Sequence, residues 1–141
     1  MSLYLDTSGL LKLLFIEPES ARVRELVTRE PQVMVSTLVR LEAVQCLRAR
    51  RLAGDISRIQ HQRLILKVAE MLQTPPFEVA EFPAAAVAMA ERQNATSGYC
   101  RTLDRLHLGA MEALGVRRLL TNDDQQAAAA RALGFEVLMP R

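Results

Sequence analysis

The feature that most constrains this chain is the alternation of short apolar runs with longer segments of helical periodicity. Five apolar runs predict strands, at residues 3–6, 33–35, 77–80, 116–121 and 135–139. Helical spacing predicts helices at residues 7–17, 19–29, 36–53, 55–72, 84–93, 102–114 and 125–133. Strands alternating with helices favour parallel pairing through right-handed crossovers. The sequence therefore predicts an α/β fold, a three-layer α/β/α sandwich around a short, mainly parallel sheet.

Length and composition predict a single domain over residues 1–141. Half of the residues are hydrophobic, so the chain can bury one sizeable core. Only 4% are aromatic and none is Trp, so Leu, Val, Ala and Met must fill that core. The same shortage leaves no aromatic platform for stacking single-stranded bases.

Charge and cysteine usage suggest a cytoplasmic protein without membrane attachment. The net charge is only +2, which does not by itself indicate a nucleic-acid partner. Cys46 and Cys100 are far apart and lack metal-site spacing, which favours free thiols in a reducing compartment. The first residues show neither a basic leader nor a long apolar stretch.

Four acidic residues lie unusually close to apolar segments. Asp6 and Asp123 follow predicted strands, where ligand sites of parallel sheets form. Glu42 shares a helix face with apolar residues on both sides of it. Asp104 lies in the first turn of another helix. Carboxylates beside a core are costly unless they are paired, hydrogen-bonded or neutralised by a metal.

Each acid also has a purely structural interpretation, which the sequence leaves open. Asp6 and Asp123 could cap the helices that follow them, although Thr7 or Ser8 could cap the first and Asp124 the second. Glu42 could pair with an arginine at the edge of the core. Asp104 suits the positive end of its helix.

Taken together, the four carboxylates predict a site for a hard cation. Oxygen ligands suit Mg²⁺ or Mn²⁺, and these ions assist the hydrolysis of phosphodiester bonds. Zinc is disfavoured, since the cysteines lack zinc-site spacing. His107 is interpreted as a hydrogen-bonded histidine on an apolar helix face. Mutual repulsion of the acids predicts that Glu42→Gln lowers metal affinity but leaves the metal-free fold intact or more stable.

The order of these motifs closely resembles a PIN domain, and in particular the VapC-type toxins of bacterial and archaeal toxin–antitoxin pairs. The resemblance spans nearly the whole chain and rests on Leu5-Asp6-Thr7-Ser8, Glu42 within Leu38–Ala43, Leu103-Asp104-Arg105-Leu106-His107-Leu108 and Thr121-Asn122-Asp123. It implies an endoribonuclease that depends on Mg²⁺ or Mn²⁺. The implied acidic site consists of Asp6, Glu42, Asp104 and Asp123, supported by Thr7, Ser8 and Thr121. It further implies a homodimer and a small antitoxin whose tail blocks the acidic groove.

Three further expectations concern ligands. Arg40, Arg101 and Arg105 are candidates for contacts with the RNA backbone, because Arg40 clusters with Arg48, Arg50 and Arg51 and because Arg101 and Arg105 flank Asp104. The alternative that the sequence leaves open is a solvated helix face. One alternative function is a catalytically inactive PIN-like module that binds a basic partner peptide. Another is a nuclease directed at DNA.

Overall fold

Five strands form the centre of the fold in the computed structural model, which describes residues 2–141. They are β1 (Leu3–Leu5), β2 (Val33–Ser36), β3 (Phe77–Ala80), β4 (Arg118–Leu120) and β5 (Glu136–Leu138). The sheet order is β3-β2-β1-β4-β5, and every neighbouring pair is parallel. The predicted α/β architecture is confirmed.

Seven helices connect the strands of this part of the chain. They are α1 (Thr7–Leu14), α2 (Ser20–Thr28), α3 (Thr37–Leu52), α4 (Arg58–Leu72), α5 (Ala86–Gln93), α6 (Thr102–Leu114) and α7 (Asp124–Ala132). Each coincides with a predicted helix, although the starts differ. The helix predicted from residue 55, with Asp55 as its possible cap, instead begins as α4 at a capping box of Ser57 and Gln60.

The strand order places the helices in two layers. From β1 the chain moves outward through β2 to β3, then returns past β1 to β4 and continues outward to β5. Because right-handed crossovers in opposite directions lie on opposite faces, α1–α4 cover one face of the sheet and α5–α7 the other. Contacts follow this division: α1 packs on α2, α3 and α4, whereas α6 packs on α5 and α7.

The core is aliphatic, as the composition predicts. All three residues of β1 are fully buried, together with Leu119 and Leu120 of β4. Gly109 allows α5 and α6 to approach closely, since a Cβ atom there would lie 2.3 Å from the carbonyl oxygen of Ala86. Gly115 ends α6 in the left-handed conformation, with φ at 72°.

Candidate active site at the carboxyl ends of the central strands

A cleft of about 330 Å³ opens at the carboxyl ends of β1 and β4. These two strands are adjacent in the sheet, and the chain leaves them in opposite directions. Parallel sheets place their ligand sites at this kind of switch point. The predicted acids all line the cleft: Asp6, Glu42, Asp104 and Asp123.

Asp6 is the most deeply buried of the four carboxylates, with 4% exposure. Its Oδ1 accepts hydrogen bonds from Ser8 Oγ at 2.8 Å and from the Gly9 amide at 2.9 Å. Its Oδ2 accepts one from Thr121 Oγ1 at 2.9 Å, because Leu5 and Leu120 pair in register and bring the next residues level. Burial raises the pKa of Asp6, and these hydrogen bonds oppose that rise.

Asp6 also caps α1 through the bond from Gly9. The expectation that Thr7 or Ser8 caps this helix is therefore wrong. Both hydroxyl groups instead hold carboxylates, since Ser8 donates to Asp6 and Thr7 donates to Glu42. The Asp6 side chain thus both caps α1 and lines the cleft.

Glu42 projects from α3 and receives its two hydrogen bonds through one oxygen. Oε1 accepts from Thr7 Oγ1 at 2.9 Å and lies 2.5 Å from His107 Nε2. Burial pushes the pKa of Glu42 upward, but the hydrogen bond from His107 and the one from Thr7 outweigh it, and the pKa lies below its usual value. The sequence interpretation named an arginine as its structural partner, whereas the partner is a histidine.

His107 is buried and hydrogen-bonded, as its place on an apolar face suggested. What the sequence interpretation missed is the pair of groups that it joins. Its Nδ1 lies 2.8 Å from Tyr4 Oη, which is also 2.9 Å from Ser36 Oγ. A tyrosine in the middle of a fully apolar strand was the one signal of this arrangement, because a buried hydroxyl needs a partner.

Arg101 links the two remaining carboxylates. Its Nε donates to Asp104 Oδ2 at 3.1 Å, and its Nη2 lies 3.5 Å from Asp123 Oδ2. The guanidinium therefore lies within the acidic cleft that the sequence assigned to a cation.

Asp123 caps α7 as well as lining the cleft. Its Oδ1 accepts a hydrogen bond from the backbone amide of Gln126 at 2.7 Å. The assignment of that cap to Asp124 is wrong, because Asp124 is the first residue of the helix and pairs with Arg141 at 2.9 Å.

The other two arginines proposed to contact RNA differ in their surroundings. Arg40 is exposed on α3. Arg105 is only 5% exposed, and its guanidinium donates to Gln93 Oε1, Ser97 Oγ and the Gly98 carbonyl oxygen. The prediction that Arg105 contacts RNA is therefore wrong, since its side chain is hydrogen-bonded to the end of α5 and to the loop between α5 and α6.

The donors at the cleft fit a hard divalent cation in their chemistry. All four acids supply carboxylate oxygens, the ligands that Mg²⁺ and Mn²⁺ prefer. Within residues 2–141, however, no three His, Cys, Asp or Glu side chains stand close enough to share an ion. Arg101 and His107 hold carboxylate oxygens of the cleft instead, and Arg101 would compete with an ion for Asp104 and Asp123.

The fold agrees with comparison to known proteins. The family model of the PIN domain matches residues 3–132. Ribonuclease VapC46 of Mycobacterium tuberculosis is 32% identical over 151 aligned positions, which cover 99% of this chain and 98% of VapC46. The chain belongs to the PIN domain family and, within it, to the VapC type.

Solved structures show the same fold at lower identity. DNA-bound VapBC from Salmonella typhimurium has a TM-score of 0.73 at 16% identity, covering 100% of this chain and 99% of that chain. VapC20 of Mycobacterium tuberculosis, a toxin that cleaves the sarcin–ricin loop, has a TM-score of 0.69 at 19% identity, with coverages of 94% and 95%. Among residues 2–141, no helix has both the length and the apolar character needed to cross a membrane.

Proposed function

We propose that residues 1–141 form one PIN-like nuclease domain that hydrolyses RNA phosphodiester bonds as a metal-dependent endoribonuclease. The observation that carries this proposal is the convergence of four carboxylates from four parts of the chain on one cleft. The kinship with Ribonuclease VapC46 supports RNA as the substrate.

In this proposal Asp6, Glu42, Asp104 and Asp123 hold Mg²⁺ or Mn²⁺. The bound ion would supply an activated water and stabilise charge on the phosphate oxygens. The chain's own part is to orient the carboxylates, and the hydroxyl groups of Thr7, Ser8 and Thr121 do this by donating to Glu42 and Asp6.

Two arginines are proposed to bind the RNA backbone. Arg101 stands at the cleft, where release from its ion pairs would free its guanidinium for a phosphate. Arg40 is exposed on α3, two residues before Glu42. Such contacts favour RNA binding without selecting its sequence.

We further propose that the protein is a cytoplasmic homodimer and the toxin of a toxin–antitoxin pair. The partner would be a small antitoxin that covers the acidic cleft. The VapBC assemblies among the structural relatives, which are complexes of a toxin with its antitoxin, support this partner.

The test is cleavage of RNA and of matched DNA by the purified protein, with Mg²⁺, Mn²⁺ or excess EDTA. We expect RNA to be cut only with a metal, and Asp104→Asn to lower the rate about 100-fold or more. Asp124→Asn is the matched control, since it removes a neighbouring exposed carboxylate outside the cleft. Full activity in EDTA, or equal cleavage of DNA, would contradict the proposal.

A further inference from the structure

A buried polar chain connects the middle of the sheet to the acidic cleft. It runs from Ser36 at the end of β2 through Tyr4 on β1 and His107 on α6 to Glu42 on α3. Tyr4 is fully buried and His107 is 2% exposed. Tyr4 of β1 and Glu42 of α3 therefore hold the histidine ring between them, and the chain meets the cleft at His107 and Glu42.

The hydrogen-bonding capacity of each group defines the direction of this chain. A carboxylate only accepts hydrogen bonds, so Nε2 of His107 must carry the proton that faces Glu42. In the neutral imidazole Nδ1 then presents a lone pair to Tyr4, whose hydroxyl can donate to it. Tyr4 Oη and Ser36 Oγ lie 2.9 Å apart, and either hydroxyl group can donate to the other, so when Tyr4 donates to Nδ1 the Ser36 hydroxyl donates to Tyr4.

The consequence for Glu42 lies in how its two oxygens are used. Both donors, Thr7 and His107, converge on Oε1. Within residues 2–141, no protein group donates a hydrogen bond to Oε2. A flexible glutamate side chain is thus fixed through one oxygen while the other stays available for a ligand in the cleft.

We propose that Tyr4 and His107 are positioning residues that orient Glu42 for metal binding, with Tyr4 selecting the histidine tautomer that donates to Glu42. This inference rests on the proposed metal-dependent function of the same cleft. Neither residue contacts the ion or the RNA in this scheme, and their effect passes entirely through the glutamate.

The first test compares two amide replacements of His107 by calorimetric titration with Mn²⁺. Glutamine places its amide nitrogen near the position of Nε2 and can still donate to Glu42, whereas asparagine places it near Nδ1. We expect His107→Asn to weaken Mn²⁺ binding about tenfold or more and His107→Gln to retain most of the affinity. Melting temperatures measured alongside identify any variant that is merely unstable.

The second test reads the tautomer directly from nitrogen chemical shifts of the two histidines. We expect His107 of the unaltered protein to show a protonated Nε2 and an unprotonated Nδ1, with His61 as the reference ring. Tyr4→Phe should mix the tautomers and weaken Mn²⁺ binding. Tyr99→Phe, which removes the same hydroxyl from a residue that is 78% exposed, should change neither.

Several outcomes would overturn the positioning role. One is a protonated Nδ1 in the unaltered protein, and another is equal Mn²⁺ affinity of the Gln and Asn variants. If Tyr4→Phe does not fold, the first test and the spectrum of the unaltered protein still decide. Should the unaltered protein bind no Mn²⁺ and cut no RNA, the proposed function fails, whereas the spectrum continues to report separately on the hydrogen-bonded chain.

Discussion

At the scale of single residues, the carboxylates of the cleft differ in what their surroundings do to them. Burial dominates at Asp6 and raises its pKa, whereas hydrogen bonds from His107 and Thr7 outweigh burial at Glu42 and lower its pKa. Mutual repulsion of the four acids predicted that Glu42→Gln would leave the metal-free fold intact or more stable. In the structure we expect neutralisation of Asp6, and not of Glu42, to stabilise the metal-free protein. Removing the charge of Glu42 would weaken its favourable hydrogen bonds.

Asp6→Asn should abolish RNA cleavage and stabilise the metal-free protein at neutral pH. A carboxyl group with a raised pKa in the folded state contributes most stability below its unfolded pKa, and this contribution is lost as pH rises through the folded pKa. An asparagine at this position does not ionise, so the variant does not lose this contribution to stability as pH rises. The gain in melting temperature over the unaltered protein should therefore grow from about pH 4 upward, as thermal unfolding at several pH values would show.

Asp124→Asn is the control for this prediction. It makes the same chemical change on an exposed residue of α7, whose carboxylate pairs with Arg141. Its melting curves should follow those of the unaltered protein across the same pH range. A metal-free Asp6→Asn protein that melts lower at neutral pH would show that the buried charge is not a cost.

Arg101→Gln should bind Mn²⁺ about two- to tenfold more tightly, because the guanidinium competes with the ion for Asp104 and Asp123. RNA cleavage by the same variant should fall, since the proposed phosphate contact is lost. Arg92→Gln is the control, as it breaks an exposed ion pair with Glu112 away from the cleft. Unchanged or weaker Mn²⁺ binding by Arg101→Gln would contradict the competition.

At the scale of helices and strands, periodicity alone placed every element, but not the side chains that begin them. Short apolar runs and helical spacing reflect burial, which acts over whole segments. Capping depends on which of several adjacent polar residues reaches an amide. The sequence left Asp6, Thr7 and Ser8 open as caps of α1 and Asp123 and Asp124 as caps of α7, and the structure selects Asp6 and Asp123. A difference of one residue is beyond what composition can resolve.

Gly109→Ala should destabilise the protein by about 1–3 kcal/mol, because the added methyl group would collide with the backbone of α5. Gly98→Ala is the matched control. A Cβ atom there meets nothing within 4 Å, so its effect should be within about 1 kcal/mol. Denaturant unfolding of both variants measures the difference, and equal stabilities would refute the close approach of α5 and α6.

At the scale of the whole molecule, one group of ion pairs joins three separate segments of the chain. Arg118 on β4 makes a two-pronged contact with Glu30, at 2.8 Å for both pairs of atoms, and its Nε lies 3.4 Å from Glu136 at the start of β5. The hydrogen bond from Arg118 holds the pKa of Glu30 below its usual value. Residues 88 positions apart are thereby joined beside the sheet.

Glu30→Gln should lower the stability at neutral pH by about 1–3 kcal/mol. A carboxyl group with a lowered folded pKa contributes stability above its unfolded pKa, and this is lost as pH falls through the folded pKa. The difference between the variant and the unaltered protein should therefore shrink below about pH 4. Glu25→Gln, which breaks exposed pairs on α2, should have little effect in the same unfolding series.

The candidate site was predictable from sequence in its carboxylates but not in their partners. Strand ends and helix faces follow from periodicity, so the four acids could be expected to meet. The links from His107 to Glu42 and from Arg101 to Asp123 join distant segments, and the sequence holds no local sign of them. Arg105 was assigned to RNA because it adjoins Asp104, yet successive helical residues point to different faces and Arg105 points into the core.

The strand order also has a consequence for the protein while it is being made. Synthesis delivers Asp6 and Glu42 early, but Thr121 and Asp123 follow β4, which enters the sheet beside β1 only after β2 and β3 have been made. A nascent chain that stops before β4 therefore lacks Asp123 and the Thr121 hydroxyl group that holds Asp6, even when it already carries Asp6, Glu42 and Asp104. A complete cleft thus forms only after β4 has been made, so that under the proposed function shorter nascent chains would lack the full catalytic set.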